Sequence, residues 1–74
     1  MTLCSANIGQ SVSVVGLTAT GHIRRRLLDL GFVNGAQVSV IRRSPLGDPT
    51  AYRVRGATIA LRAADAGHVL IEMS

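Results

Sequence analysis

A helix signal dense in arginine and closed by glycine, HIRRRLLDLG from His22 to Gly31, is followed only by short β segments broken by turn residues. That order leaves few folds open. A chain whose later half sustains no helical period must satisfy its backbone by pairing strands. Within 74 residues those strands and the helix share one core, near the lower size at which a core suffices without staples. Phe32 and Tyr52 are the only large aromatics, so that core is built mainly from Val, Leu, Ile and Ala.

The first strand is expected over Ser11 to Leu17, with Val12 and Val14 inward. Gly16 to Gly21 reads as a loop, and Thr20 is placed to cap the helix. At 100° per residue Ile23, Leu27 and Leu30 share the apolar arc. His22, Arg25 and Asp29 lie opposite, with Arg25 and Asp29 spaced for an i,i+4 pair. Leu28 falls off the arc beside Arg24. Gly31 suits a left-handed helix stop, after which Phe32 and Val33 return to the core. Asn34-Gly35 supplies a turn.

Strands follow at Ala36 to Arg43, Thr50 to Arg55, Thr58 to Arg62 and His68 to Met73. Their inward sets are Val38 and Val40, Tyr52 and Val54, Ile59 and Leu61, and Val69 and Ile71. Gly56-Ala57 as a two-residue turn pairs Val54 with Ile59 and Tyr52 with Leu61. With Val54 opposite Val40, the outward face carries Arg43, Arg53, Arg55 and Arg62. Ala63 to Gly67 suits one helical turn. The reading is mainly β: a single domain over 1–74, a small five-stranded barrel with one short helix after the first strand.

The function classes narrow next. All eight basic residues are arginine and the formal charge is +4, which favours an acidic or anionic partner. The carboxylates Asp29, Asp48, Asp65 and Glu72 are unpaired in sequence. No nucleophile elbow or phosphate-cradling glycine motif occurs, so the chain does not read as an enzyme. Cys4, His22 and His68 match no zinc spacing and are weak metal candidates. They suit at most an opportunistic divalent ion or one shared between molecules, and no cofactor is required. The lone Cys4 allows no internal disulfide, and a reducing cytoplasm fits best. MTLCSANIG carries no secretory pattern, and no segment is long and apolar enough to span a membrane.

Two surfaces stand out as binding elements. In Pro45 to Pro49 (PLGDP), two prolines fix φ and Gly47 permits a positive φ, so Leu46 sits at the tip of a stiff loop. Leu28 among arginines is a second apolar anchor. A basic sheet face is also compatible with nucleic acid. However, Tyr52 and Phe32 point inward, away from any base-stacking role.

The run RRRLLDLGF followed by GA, then a strand, PLGDP, VRGATIALR, an AADAG turn and a closing apolar strand resembles the ferrous iron transport protein A (FeoA) family. The likeness runs from about Leu3 to Met73, with its parts in order. It implies an SH3-like barrel. It also implies a cytoplasmic accessory to FeoB, the GTP-dependent membrane transporter for ferrous iron, acting by protein contact. The segment from Leu17 to His22 departs from the family pattern by lacking an acidic residue, and no contact role is transferred to it. The expectation is a module docking on the cytosolic part of FeoB. Leu46, Gly47, Asp48 and Pro49 form its recognition loop, flanked by Arg24, Arg25 and Leu28. Arg43, Arg53, Arg55 and Arg62 steer it toward acidic surface or lipid, making it peripheral to a membrane at most. Self-association stays open. The alternatives are a basic nucleic-acid-binding barrel and a transition-metal-binding regulator or chaperone.

Overall fold

The computed structural model describes all 74 residues. A 3-10 turn, Leu3–Ser5, precedes β1 (Ser11–Leu17), α1 (Gly21–Leu30), β2 (Gln37–Arg43), β3 (Thr50–Val54), β4 (Ala57–Leu61), α2 (Ala63–Ala66) and β5 (Val69–Met73). The strands form one antiparallel sheet in the order β4-β3-β2-β1-β5. Alternation drives it. Val12, Val14, Val38, Val40, Tyr52, Val54, Leu61, Val69 and Ile71 are all buried on the inner face. Leu3, Leu27 and Phe32 complete the core from outside the sheet, each fully buried.

The two edges of the sheet differ. The free side of β5 is covered by the N-terminus: Thr2 bridges Leu70, and the Ile71 N–H donates to the Met1 carbonyl at 2.9 Å. β4 ends the sheet on the other side, and no backbone bond from outside the sheet reaches residues 57–61.

α1 stops as its glycine predicts. Gly31 takes φ 109°, its N–H donates to Leu28 O, and the Phe32 N–H donates to Leu27 O, both at 3.0 Å. This paired arrangement satisfies two end carbonyls and turns Phe32 into the core. The positive φ is what favours glycine here; a Cβ would also meet Arg55 Cδ at 3.2 Å, so that side chain would have to shift slightly. The start of α1 is different. Thr20 occupies the cap position with extended backbone but makes no side-chain bond. Gly21 to Arg26 are all exposed, and Ile23, expected on the buried arc, is 41% exposed. The helix is anchored by Leu27 and Leu30 in its last turn, and its first turns overhang the sheet.

Three further expectations are corrected. The β3–β4 turn is Arg55-Gly56, closed by Val54 opposite Ala57, with φ 53° and 81°. Both central residues have positive φ, as a type I′ hairpin demands. Tyr52 therefore pairs with Ile59, and Thr50 with Leu61. On the other side, Val54 faces Val38 and Val40 faces Tyr52. Each of these registers is two residues from the expected one, which keeps the side chains of the paired residues up to Val40 on their expected faces. The i,i+4 pair of Arg25 and Asp29 does not form; the one ion pair is Arg26 with Asp65.

Candidate docking surface

The loop from Ser44 to Pro49 is braced from within. The Gly47 N–H donates to Ser44 O at 2.8 Å, the Ser44 N–H to Pro49 O at 3.0 Å, and Ser44 Oγ to Asp48 O at 2.8 Å. Gly47 adopts φ 89°, and the Asp48-Pro49 peptide is cis. Asp48 Oδ1 accepts the Ala63 N–H at 2.8 Å, satisfying a free donor at the start of α2 and fastening the loop to that turn. Leu46 stands at the tip, 95% exposed. Burying such a side chain is worth about 1.5–3 kcal/mol, so the loop holds an unused apolar contact in a fixed place.

On α1, Arg24 and Arg25 are exposed and form no ion pair, while Leu28 is half-buried outside the core cluster. No hydrogen bond joins this helix directly to the loop. Instead both are tied to α2: Arg26 pairs with Asp65, and Asp48 caps Ala63. Arg26, which the sequence reading left out of the site, is thus the residue that links α1 to the loop's support. Its pairing partner lies 39 positions away, and nothing local signals it.

The basic face needs two corrections. Ile41 is an extra residue in β2: Val40 pairs with Tyr52, and Arg42 with Ala51. This bulge reverses the alternation beyond it. Arg43, expected outward, falls opposite the buried Thr50 and donates to Thr50 Oγ1 and to the Ala6 carbonyl, both at 3.2 Å. Its side chain stays exposed, but two of its nitrogens are tied to the fold by these bonds. Arg42 takes the outward place instead. The doublets Val40-Ile41 and Arg42-Arg43, which interrupt strict alternation, are the one trace of this in the sequence. Arg55 lies in the turn, and its aliphatic stem crosses Gly31. That brings a cation to the C-terminal end of α1, where the helix dipole favours it. Arg53 and Arg62 are exposed, as expected.

Cys4, His22 and His68 do not converge, and no three His, Cys, Asp or Glu side chains gather anywhere. Cys4 Sγ lies 3.1 Å from Thr2 Oγ1, His68 Nδ1 bonds Thr18 Oγ1 at 3.0 Å, and His22 is exposed on α1. Beneath the surface, burial raises the Tyr52 hydroxyl above its ordinary value of 10.0, partly offset by Thr50 and Arg43. Tyr52 and Phe32 are both buried, so neither presents a ring to a ligand.

No helix is long and apolar enough to cross a membrane. The FeoA domain profile matches residues 1–73. The chain is 33% identical over 73 residues to a fusion of Fe(2+) transport protein A with the Fe(2+) transporter FeoB from Porphyromonas gingivalis; the match takes in 99% of this chain and 9% of that protein. The solution structure of FeoA from Chlorobium tepidum superimposes with a TM-score of 0.91 at 34% identity, covering 99% of this chain and 70% of the other. The zinc-complexed FeoA of Stenotrophomonas maltophilia gives 0.86 at 33% identity, covering 97% and 89%. That protein is described as a procaryotic SH3 domain protein and a candidate activating factor of ferrous iron transport. The architecture here is the same SH3-like one, with five antiparallel strands and a helix. By sequence across nearly its whole length and by fold, the chain belongs to the FeoA family, which is associated with ferrous iron transport.

Proposed function

We propose that this protein is a non-enzymatic accessory of ferrous iron uptake that docks on the cytosolic part of FeoB, with Leu46 as its apolar anchor. The observation that carries this reading is a leucine held almost wholly in water on a loop braced by four hydrogen bonds. A rigid exposed leucine loses little entropy on binding and gains its full burial. The P. gingivalis relative, in which the two transport proteins are one chain, supports FeoB as the partner.

Gly47 and Pro49 shape the loop. Asp48 serves chiefly to fix it, since one carboxylate oxygen is already engaged. Arg24, Arg25 and the half-buried Leu28 form the flanking helix surface. Arg42, Arg53 and Arg62 supply free positive charge that steers the protein toward acidic protein or anionic lipid surface and speeds encounter. The site lies on the cytoplasmic side, and no nucleotide or metal need be bound for docking. The buried aromatics weigh against single-stranded nucleic acid as the partner, since no stacking platform is offered.

The test is iron uptake in cells whose own copy of this gene is replaced by the Leu46→Asp variant. Uptake should fall toward that of cells lacking the protein, with the variant present at normal abundance. Uptake at the wild-type level would remove Leu46 from the site.

A further inference from the structure

The uncovered edge of β4 has a second property beyond being unpaired. A two-residue hairpin is closed by a hydrogen-bonded pair, here Val54 and Ala57, so Ile59 and Leu61 also bond back to β3. The N–H and C=O groups of Thr58 and Ala60 then point away from the sheet. Shallow depressions lie on both faces of this edge. One, of about 330 Å³, lies between β4 and α1 and is lined by Leu30, Ile59, Leu61, Arg26, Arg62 and Asp65. The other, of about 200 Å³, lies on the outer face by Ala51, Ala60, Pro49, Ser44 and Arg42. Ala60 borders both.

A strand added beside β4 would send alternate side chains to opposite faces, and so into the two depressions in turn. Main-chain bonds to Thr58 and Ala60 would supply attachment, and the depressions would supply side-chain selection. The charge around the edge sets the sign of the occupant. Arg42 and Arg62 have no ion-pair partner; of the two acids near this edge, Asp65 is bridged to Arg26 and Asp48 accepts the Ala63 N–H. We infer that β4 is a β-augmentation site for an extended partner segment that alternates apolar with small polar residues and is flanked by carboxylates. This surface is separate from the Leu46 loop and goes beyond the docking reading.

The probe is an amidated peptide of alternating valine and threonine with glutamate at both ends, beside a twin with lysine in those places. Amide NMR of the full chain should show the acidic peptide shifting Thr58 and Ala60, with the lysine twin silent. Ala60→Pro removes an outward N–H while sparing the β3 ladder, and should weaken binding about tenfold or more. Leu46→Asp should bind the peptide as the wild type does, which separates this site from the loop. Should Ala60→Pro fail to fold, Arg62→Glu, altered at an exposed side chain, must lose the preference for the acidic peptide. Absent binding, equal binding of both peptides, or shifts confined to other elements overturns the inference. Self-association that Ala60→Pro abolishes overturns it too, by assigning the edge to a second copy of this chain.

Discussion

β3 is joined to its neighbours by two unlike connections. At one end Arg55-Gly56 turns the chain in the minimum two residues. At the other, Ser44 to Pro49 covers the same kind of antiparallel step with a longer excursion, internal bonds and an apolar tip. The short turn is explained by connection alone. The long loop is not: a hairpin needs neither a leucine left in water nor an aspartate reaching across to cap α2. The difference separates what folding requires from what the docking proposal rests on.

That contrast can be broken at either end. Gly56→Ala puts a side chain where φ is 81° and should cost about 1–2 kcal/mol of stability, read by denaturant unfolding, while docking is unchanged. Leu46→Asp should do the reverse. It should weaken docking at least about tenfold, or about 1.4 kcal/mol, with stability within about 0.5 kcal/mol of the wild type. If Leu46→Asp unfolded the protein, the tip would be structural and the contrast would fail. Asp48→Ala removes the bond to the Ala63 N–H and should cost about 1 kcal/mol. It should also weaken docking, through a loosened loop, by less than Leu46→Asp does.

The smallest effect at neutral pH concerns the strand between the two connections. The Tyr52 hydroxyl is raised above 10.0 by burial, so the folded state favours the protonated phenol. The stability this contributes is complete below the unfolded value and is lost as pH rises through the higher folded value. Alkaline titration of unfolding should show a decline above pH 10.0 that Tyr52→Phe removes. A decline of the same size in Tyr52→Phe would assign it to other groups.

Much of the fold was legible because it rests on period-two alternation and turn residues. The inward valines of β1 and β2 and the glycine stop of α1 follow from local rules. The misreadings have local causes too. A hairpin slipped by two residues keeps every side chain on its face, so alternation could not choose between Gly56-Ala57 and Arg55-Gly56. The Ile41 bulge changed the face of Arg43, and only the broken alternation there marks it. Ile23 fits the apolar arc of α1, but whether a helix turn is covered depends on what lies opposite it, which periodicity does not encode. The Arg26–Asp65 pair and the Asp48 cap on α2 join residues far apart in sequence, so no spacing rule points to them. Leu46 was legible as a tip residue because two prolines and a glycine in PLGDP fix the loop that carries it.

The most direct test is an amide NMR titration of this protein with the soluble cytosolic part of FeoB from the same organism. Shifts should centre on Leu46 to Pro49 and extend to Arg24, Arg25 and Leu28, while Arg55-Gly56 stays still. A titration in which the loop does not shift, whether flat or confined to Thr58 and Ala60 on β4, would contradict the account of Leu46 as the anchor.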